Sequence, residues 1–341
     1  MSTPASHVTL SDEQRSVFES LESQHTSFFI TGKAGTGKSV LLRFFVEHTS
    51  KKTVVLAPTG IAAIHVGGQT IHSFFGMEAT VQDTRNTESV LNGLTDTRRK
   101  ELSVLDAIIL DEISMVRVDT MDMIDRKMRA ARKNDLPFGG CQVIAFGDLY
   151  QLPPVVKEEA VEKFLRRRYG TLFFFGAPGY KEMPFSFVEL SRVFRQNDPA
   201  FIDMLNHIRT GYPKWEDLEA LNRRHTALPN DREILTLTAR NDAAQQINSL
   251  RLEEMPWEEV RYTGIVQGDF AEEDMPTSMT LSLKPGAHVM MLRNDPGRRW
   301  FNGTLGTVAS LSENMIRVEI DGQVYPVDRE VWVKYEYTYD P

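Results

Sequence analysis

The sequence predicts an α/β protein: a parallel sheet with helices on both faces, followed by a β-rich C-terminal part. Three observations predict it. Short apolar runs alternate with stretches of helical periodicity through the first half, and a glycine-rich segment joins the first of these runs to a helix. From Thr280 onward the alternation gives way to short strand-like segments punctuated by Gly303, Gly306 and Gly322, which suggests a small antiparallel barrel grafted onto the α/β unit.

Taken in order, Ser11 is placed to cap a helix, with Gln14 three residues on completing a capping box and Val17, Phe18 and Leu21 forming an apolar stripe. Ser27 to Thr31 reads as a strand, and Val40, Leu41, Phe44 and Phe45 mark the buried side of the helix that follows. Further strands are expected at Thr53 to Ala57, Ala107 to Leu110 and Gln142 to Phe146, with a helix over Val118 to Lys133. Met77 to Thr97 is polar and aperiodic, and reads as an insertion or long loop. The runs RKMRAARK and Arg166-Arg167-Arg168 read as solvated helix faces. Beyond them, Phe201, Met204, Leu205 and Ile208 mark a helix, Ile234 to Thr238 a strand, and Asp242 to Leu252 another helix. The closing strands are expected at Ala287 to Leu292, Thr304 to Leu311, Met315 to Ile320, Val324 to Val327 and Val331 to Tyr337.

With 341 residues the chain is long enough for two domains of about 150 each. No apolar run approaches the length of about 18 that spans a membrane, and the opening MSTPASHVTLSDEQR lacks the apolar segment of a secretory leader. Cys141, the single cysteine, excludes a disulfide within the chain and a cysteine-built zinc site. An intracellular, reducing compartment is therefore expected: cytoplasm or nucleoid, or nucleus or mitochondrion in a eukaryote. The net charge of −8 would argue against a nucleic-acid partner, but eight of the acids crowd between Glu253 and Asp274 against Arg261 alone. The rest of the chain is close to neutral, so the overall sign decides nothing.

Gly32 to Ser39 reads GKAGTGKS, the pattern G-x-x-x-x-G-K-[ST] between a strand and a helix. Glycines let the backbone N–H groups and the helix N-terminus face phosphates. Lys38 brings an ammonium to the β- and γ-phosphates, and the Ser39 hydroxyl is a ligand for Mg²⁺. Asp111 and Glu112 close an apolar strand, where ligands bind in such sheets. There Asp111 would hold Mg²⁺ and Glu112 would polarise the attacking water. Gln151, in Gly147-Asp148-Leu149-Tyr150-Gln151, can hydrogen-bond both a γ-phosphate and that water. Arg195 lies near the expected domain junction, where a guanidinium can stabilise transition-state charge. No N-K-x-D segment that would read guanine is present.

These motifs, in this order, resemble the helicases of superfamily 1, class B, and most closely the PIF family of DNA helicases, relatives of RecD. Leu10 to Gln14 is similar to the motif that contacts adenine, and GKAGTGKS to the phosphate loop. APTGIAA (Ala57 to Ala63) and GQTIHSFF (Gly68 to Phe75) resemble the motifs that grip single-stranded DNA. IILDEISM, FGDLYQLPPV, LSRVFRQ, TLTARND, LKPGAHVMMLRND and FNGTLGTV resemble the family's later motifs. The resemblance implies an ATP-dependent helicase and translocase of 5′ to 3′ polarity acting on single-stranded and on forked or structured duplex DNA, as a monomer, in repair, recombination or telomere maintenance. It implies ATP contacts from Gln14 and from Gly32, Lys33, Ala34, Gly35, Thr36, Gly37, Lys38 and Ser39, with Mg²⁺ at Ser39 and Asp111. Lys38, Glu112, Gln151 and Arg195 would be catalytic, and Pro58, Thr59, Gly60, Thr70, His72, Ser73 and Phe74 would line the strand path.

The domains implied are a RecA-like core over 1–190, a second, partial RecA-like core over 191–303, and the start of an inserted SH3-like β-barrel over 304–341. From the residues alone, Thr59 and Gly60 offer a hydroxyl and an N–H to a phosphate, whereas Phe74 and Phe75 serve equally as core and His72 as a structural histidine. The family's later segment near T-I-H-K-S-Q-G, and the motif after it that supplies a second arginine, are not found in these 341 residues. The expectation that follows is a chain that binds Mg-ATP but unwinds poorly, with a nucleotide-dependent nucleic-acid tether or sensor as the alternative.

Overall fold

A computed structural model of the chain describes residues 9–332 apart from 79, 195, 197, 227–235, 269–276, 298 and 301. They form two compact units that divide between Arg224 and His225. The first unit begins α1 (Asp12–Ser23), β1 (Ser27–Gly32), α2 (Lys38–His48), β2 (Thr53–Ala57), α3 (Gly60–His65), β3 (Gln69–Thr70) and α4 (Ile71–Phe75). It continues through α5 (Thr87–Leu91), α6 (Asp96–Ser103), β4 (Ala107–Leu110), α7 (Val118–Arg132), β5 (Gln142–Phe146) and α8 (Glu159–Tyr169). It closes with α9 (Pro178–Glu182), β6 (Phe185–Leu190), α10 (Pro199–Arg209) and α11 (Trp215–Asn222).

The six strands make one wholly parallel sheet in the order β3-β2-β4-β5-β1-β6, as the alternation of strand and helix predicts. Alternate residues of a strand face opposite sides. Phe28, Ile30, Ala107, Ile109, Ile144 and Phe146 pack one way, against Leu21 of α1 and Leu41, Leu42 and Phe45 of α2. Phe29, Ile108, Leu110, Val143 and Ala145 pack the other way, against Met121, Ile124 and Met128 of α7 and Leu165 of α8. Because β1, β4 and β5 are buried on both faces, each reads as an unbroken apolar run. The Ser11–Gln14 capping box at the start of α1 is formed.

Several elements differ from the sequence reading. β3 is two residues long, and β6 is an edge strand of mixed burial, so neither carries a pattern to find. Residues 77–97 are no plain loop: α5 and the start of α6 lie there, capped by Asn86 and Thr95 and pinned by buried Val90 and Leu94. The RKMRAARK run is not a solvated face. Arg126 and Arg129 pair with buried Asp122 and Asp125 one turn back, and Lys127, 1% exposed, donates to the Asn92 carbonyl. Arg168 likewise turns inward to donate to Thr84 Oγ1. The first unit runs on past residue 190 to Arg224, because α10 is tied back to the turn after β5 by the pair Arg209–Asp148.

The second unit holds α12 (Asn241–Glu254), an antiparallel pair β7 (Val260–Thr263) and β8 (Thr280–Leu283), and an antiparallel sheet of β9 (His288–Met290), β10 (Leu305–Ser312), β11 (Met315–Ile320) and β12 (Gln323–Val327). Met291, Trp300, Val318 and Ile320 form one small core, and Leu283, Ala287 and Val308 another. The strand expected over 234–238 falls partly outside the described residues, and 236–238 are irregular. Most of the strand expected at 331–337 also lies outside them. Among the described residues no helix is long and apolar enough to cross a membrane.

Candidate active site

β1 ends in the glycine-rich loop, and the loop's geometry explains its glycines. Gly35 and Gly37 sit at φ 81° and 80°, in the left-handed region. A Cβ on Gly37 would also strike the Gln14 amide nitrogen. Gln14, buried at 3% exposure, accepts from Ser11 N through Oε1 and donates through Nε2 to the Gly37 carbonyl at 3.3 Å. It thereby locks the start of α1 onto the loop. Phe194 N donates to the Gly35 carbonyl at 2.8 Å, which fastens the segment after β6 to the other side. Inside the loop, Thr36 Oγ1 and Lys38 Nζ donate to the Lys33 carbonyl, and Lys38 donates at 2.6 Å to that of Gly32. Ser39 stands in the first turn of α2, beside the positive end of the helix.

β4 lies between β2 and β5, and Asp111 N extends its ladder by donating to the Leu56 carbonyl at 2.9 Å. Glu112 then turns into the left-handed region at φ 48°. A non-glycine residue there bends the chain so that successive side chains leave in different directions. Burial, followed by the neighbouring charge of Glu112, pushes the Asp111 carboxyl up to about 6. Burial also lowers the Lys38 ammonium, against the pull of Asp148, Glu112 and Asp111. These four charges therefore share the C-terminal edge of β1, β4 and β5, where ligands bind in parallel sheets.

Asp148, after β5, is 1% exposed. Burial opposes its charge, yet hydrogen bonds from Arg209 and from Tyr150 N hold its carboxyl below the ordinary value. Gln151 is exposed and donates to Asp148 Oδ2 at 3.3 Å. Arg195 lies outside the described residues. Asp111 has no ion pair among the described residues; a carboxylate and a hydroxyl such as that of Ser39 are the hard oxygen donors that Mg²⁺ takes. No cluster of three His, Cys, Asp or Glu suited to a metal occurs among the described residues, so such an ion would complete its shell with phosphate oxygens and water.

The second group of residues sits at the same end of the sheet, on β2 and β3, where Ala57 is in register with Thr70. Pro58, Thr59 and Gly60 join β2 to α3, and the Thr59 hydroxyl accepts from Ala62 N. Thr70 caps α4 by accepting from Ser73 N, and Ser73 is exposed. His72 is half-buried; burial, then repulsion from Arg117, lowers its pKa. Phe74 is 5% exposed, with the Arg98 guanidinium 4.7 Å from its ring centroid, so it is placed as core with a cation over it. Sequence reasoning missed Asp148 and Arg209. The first stands three residues before Gln151 in a segment already singled out; the second is a lone arginine 61 residues away with no local signal.

A family model described as PIF1-like helicase matches residues 9–217. The chain is 35% identical over 327 residues to the ATP-dependent DNA helicase Pif1 of Bdellovibrio bacteriovorus, covering 93% of this chain and 71% of that protein. It is also 35% identical to the ATP-dependent DNA helicase PIF1 of Saccharomyces cerevisiae, covering 88% of this chain but only 36% of the yeast protein. A crystal structure of a Bacteroides Pif1 helicase in complex with ADP-AlF3 and single-stranded DNA superposes with a TM-score of 0.82 at 36% identity, over 97% of this chain and 77% of that one.

Proposed function

The chain belongs to the PIF1-like helicase family, and from that premise we propose that it hydrolyses ATP to move 5′ to 3′ along single-stranded DNA and to part forked or structured duplexes. The observation that carries the reading is the gathering of Lys38, Asp111, Glu112 and Asp148 on one edge of the sheet, with the acid pair on the strand next to β2, which leads to Thr59 and pairs with the strand of Thr70. In this reading the loop N–H groups and the N-terminus of α2 bind the phosphates. Lys38 exchanges its two carbonyl partners for the β- and γ-phosphate oxygens. Ser39 and Asp111 would hold Mg²⁺, which would neutralise phosphate charge. Glu112 takes the proton of the attacking water, and Gln151 orients that water against the γ-phosphate. Gln14 turns its amide to the adenine, and Arg195 supplies a cation to the γ-phosphate.

Thr59, Gly60, Thr70, His72 and Ser73 lie toward the DNA strand, with Pro58 shaping the turn and Phe74 holding α4 in place. The Bacteroides relative carries ADP-AlF3 and single-stranded DNA together, which supports a pairing of the same two ligands here. The protein works as a monomer inside the cell. The test is ATP hydrolysis with and without single-stranded DNA, alongside strand displacement from duplexes with 5′ or 3′ tails. Stimulation together with 5′-tail preference is the expected result. Nucleotide binding with no response to DNA would make the chain a tether instead.

A further inference from the structure

We infer that Arg209 is a positioning residue for the phosphate site: by holding Asp148 it leaves Lys38 free for nucleotide and fixes the turn that carries Gln151. The inference rests on the ATPase reading above and deepens it.

Every acceptor position of the Asp148 carboxylate is engaged. Arg209 donates to both oxygens, Nε to Oδ2 and Nη2 to Oδ1, each at 2.7 Å. Tyr150 N donates to Oδ1 at 3.1 Å, and Gln151 Nε2 to Oδ2 at 3.3 Å. The planar fork of a guanidinium matches this side-on geometry, which an ammonium does not reproduce. The Tyr150 ring lies 4.5 Å from the guanidinium carbon and shields it, so the pair is largely removed from water. Asp148 is thus a hub between the turn after β5 and the last residue of α10.

The charge arithmetic gives the hub its consequence. Asp148 is the carboxylate whose charge Lys38 feels most, and Lys38 also feels Arg209 with the opposite sign. With Arg209 in place, the Asp148 charge is spent locally. Without it, a buried carboxylate is left uncompensated, and Lys38 is a cation on which its charge already acts. Drawn to Asp148, Lys38 would be withheld from the β- and γ-phosphates, and the Gln151 turn would lose its anchor. The other end of α10 begins at the Asp198 cap, just after the Val-Phe-Arg-Gln segment. One helix therefore spans from that segment to the Asp148 hub.

The test measures ATP turnover and ADP affinity in the full chain for wild type, Arg209→Lys, Arg209→Met, and Arg209→Met combined with Asp148→Asn, with thermal unfolding as a folding control. Arg209→Met should raise KM for ATP by about tenfold or more, because breaking a buried pair leaves one charge unmatched. Arg209→Lys should fall between it and wild type. Adding Asp148→Asn should return KM to within about threefold of wild type by removing the competing charge, while kcat stays low because the Gln151 turn is still unanchored. If Arg209→Met leaves KM and kcat unchanged, or the double variant binds nucleotide no better than the single one, the inference is overturned. Should Arg209→Met fail to fold, the lysine and double variants carry the comparison. A wild-type chain that does not hydrolyse ATP would defeat the ATPase reading itself, which is a separate result.

Discussion

Asp111→Asn separates what the acid pair costs the folded protein from what it does for nucleotide. Asp111 is 7% exposed, and burial lifts its carboxyl from 3.8 to about 6. A rise of roughly two units at about 1.36 kcal/mol each makes the ionised group a liability of up to about 3 kcal/mol. Because the folded-state value lies above the unfolded one, folding takes up a proton within this window. The contribution to stability is therefore full below pH 3.8 and is lost as pH rises through about 6.

Asparagine cannot ionise, so the variant should match wild type near pH 4 and exceed it at pH 8. The gain should be about 1–3 kcal/mol, or about 3–10 °C in Tm for a unit of this size. Magnesium nucleotide should reverse the order, since the cation repays the Asp111 charge and asparagine offers it no charge. The assay is thermal unfolding from pH 4 to 8, with and without Mg-ADP. An Asp111→Asn variant no more stable than wild type at pH 8 without ligand would refute the reasoning, as would equal stabilisation of both by Mg-ADP.

Lys38→Ala should abolish hydrolysis and weaken ATP binding, checked by phosphate release and nucleotide titration. Glu112→Gln should bind ATP nearly as wild type while turnover falls by about 10²-fold or more, the loss of a general base; a parallel loss of binding would point to a structural role. Affinity for single-stranded DNA, followed by fluorescence anisotropy, should fall linearly on a log–log plot against salt, as counterion release requires, and His72→Ala should weaken it without changing ATP affinity in the absence of DNA. Gly93→Ala should loosen residues 77–97 from α4, because its Cβ would lie 2.8 Å from the Gly76 carbonyl oxygen and 2.9 Å from its Cα, and Gly93 sits at φ 74°. Its readout is DNA affinity and protease nicking between α4 and α6, with DNA-independent ATP turnover as the measurement that should not move.

What the sequence made legible follows from how local each signal is. The doubly buried strands β1, β4 and β5 carry continuous apolar text, and the loop from Gly32 to Ser39 carries its chemistry in consecutive residues, so both were readable. The Ser11–Gln14 box was readable for the same reason, although its second contact, from Gln14 to the Gly37 carbonyl, was not. Two-residue β3 and edge strand β6 leave no periodicity to find. The basic run of α7 misleads because its partners, Asp122 and Asp125, sit one turn back on the same helix and are buried with it. Lys127 misleads further, since a backbone carbonyl brought in from the 77–97 segment satisfies it, and no composition signals that. Arg209 is the extreme case, because its partner is distant in sequence and meets it only through the fold.

The order of the strands bears on how two sites on one sheet edge communicate. β4 has β5 on one side and β2 on the other. The residue that starts the acid pair, Asp111, donates its backbone N–H to Leu56 of β2, and two residues past Leu56 stands Pro58, at the head of the Pro58–Gly60 turn. Ala57 is in register with Thr70, which caps α4. One hydrogen bond and a three-residue step therefore separate the acid pair from Thr59, the first proposed strand contact, and one register pair leads on to Thr70. Coupling between distant sites is carried by rigid elements with more than one arrangement. Here the rigid part is the sheet, and the short helices α3 and α4 at its edge are the elements such coupling would have to move. On this route a change in charge at Asp111 would reach the proposed strand path through backbone. For that reason Glu112→Gln, which leaves this backbone connection untouched, should keep the nucleotide-dependent change in DNA affinity while losing turnover.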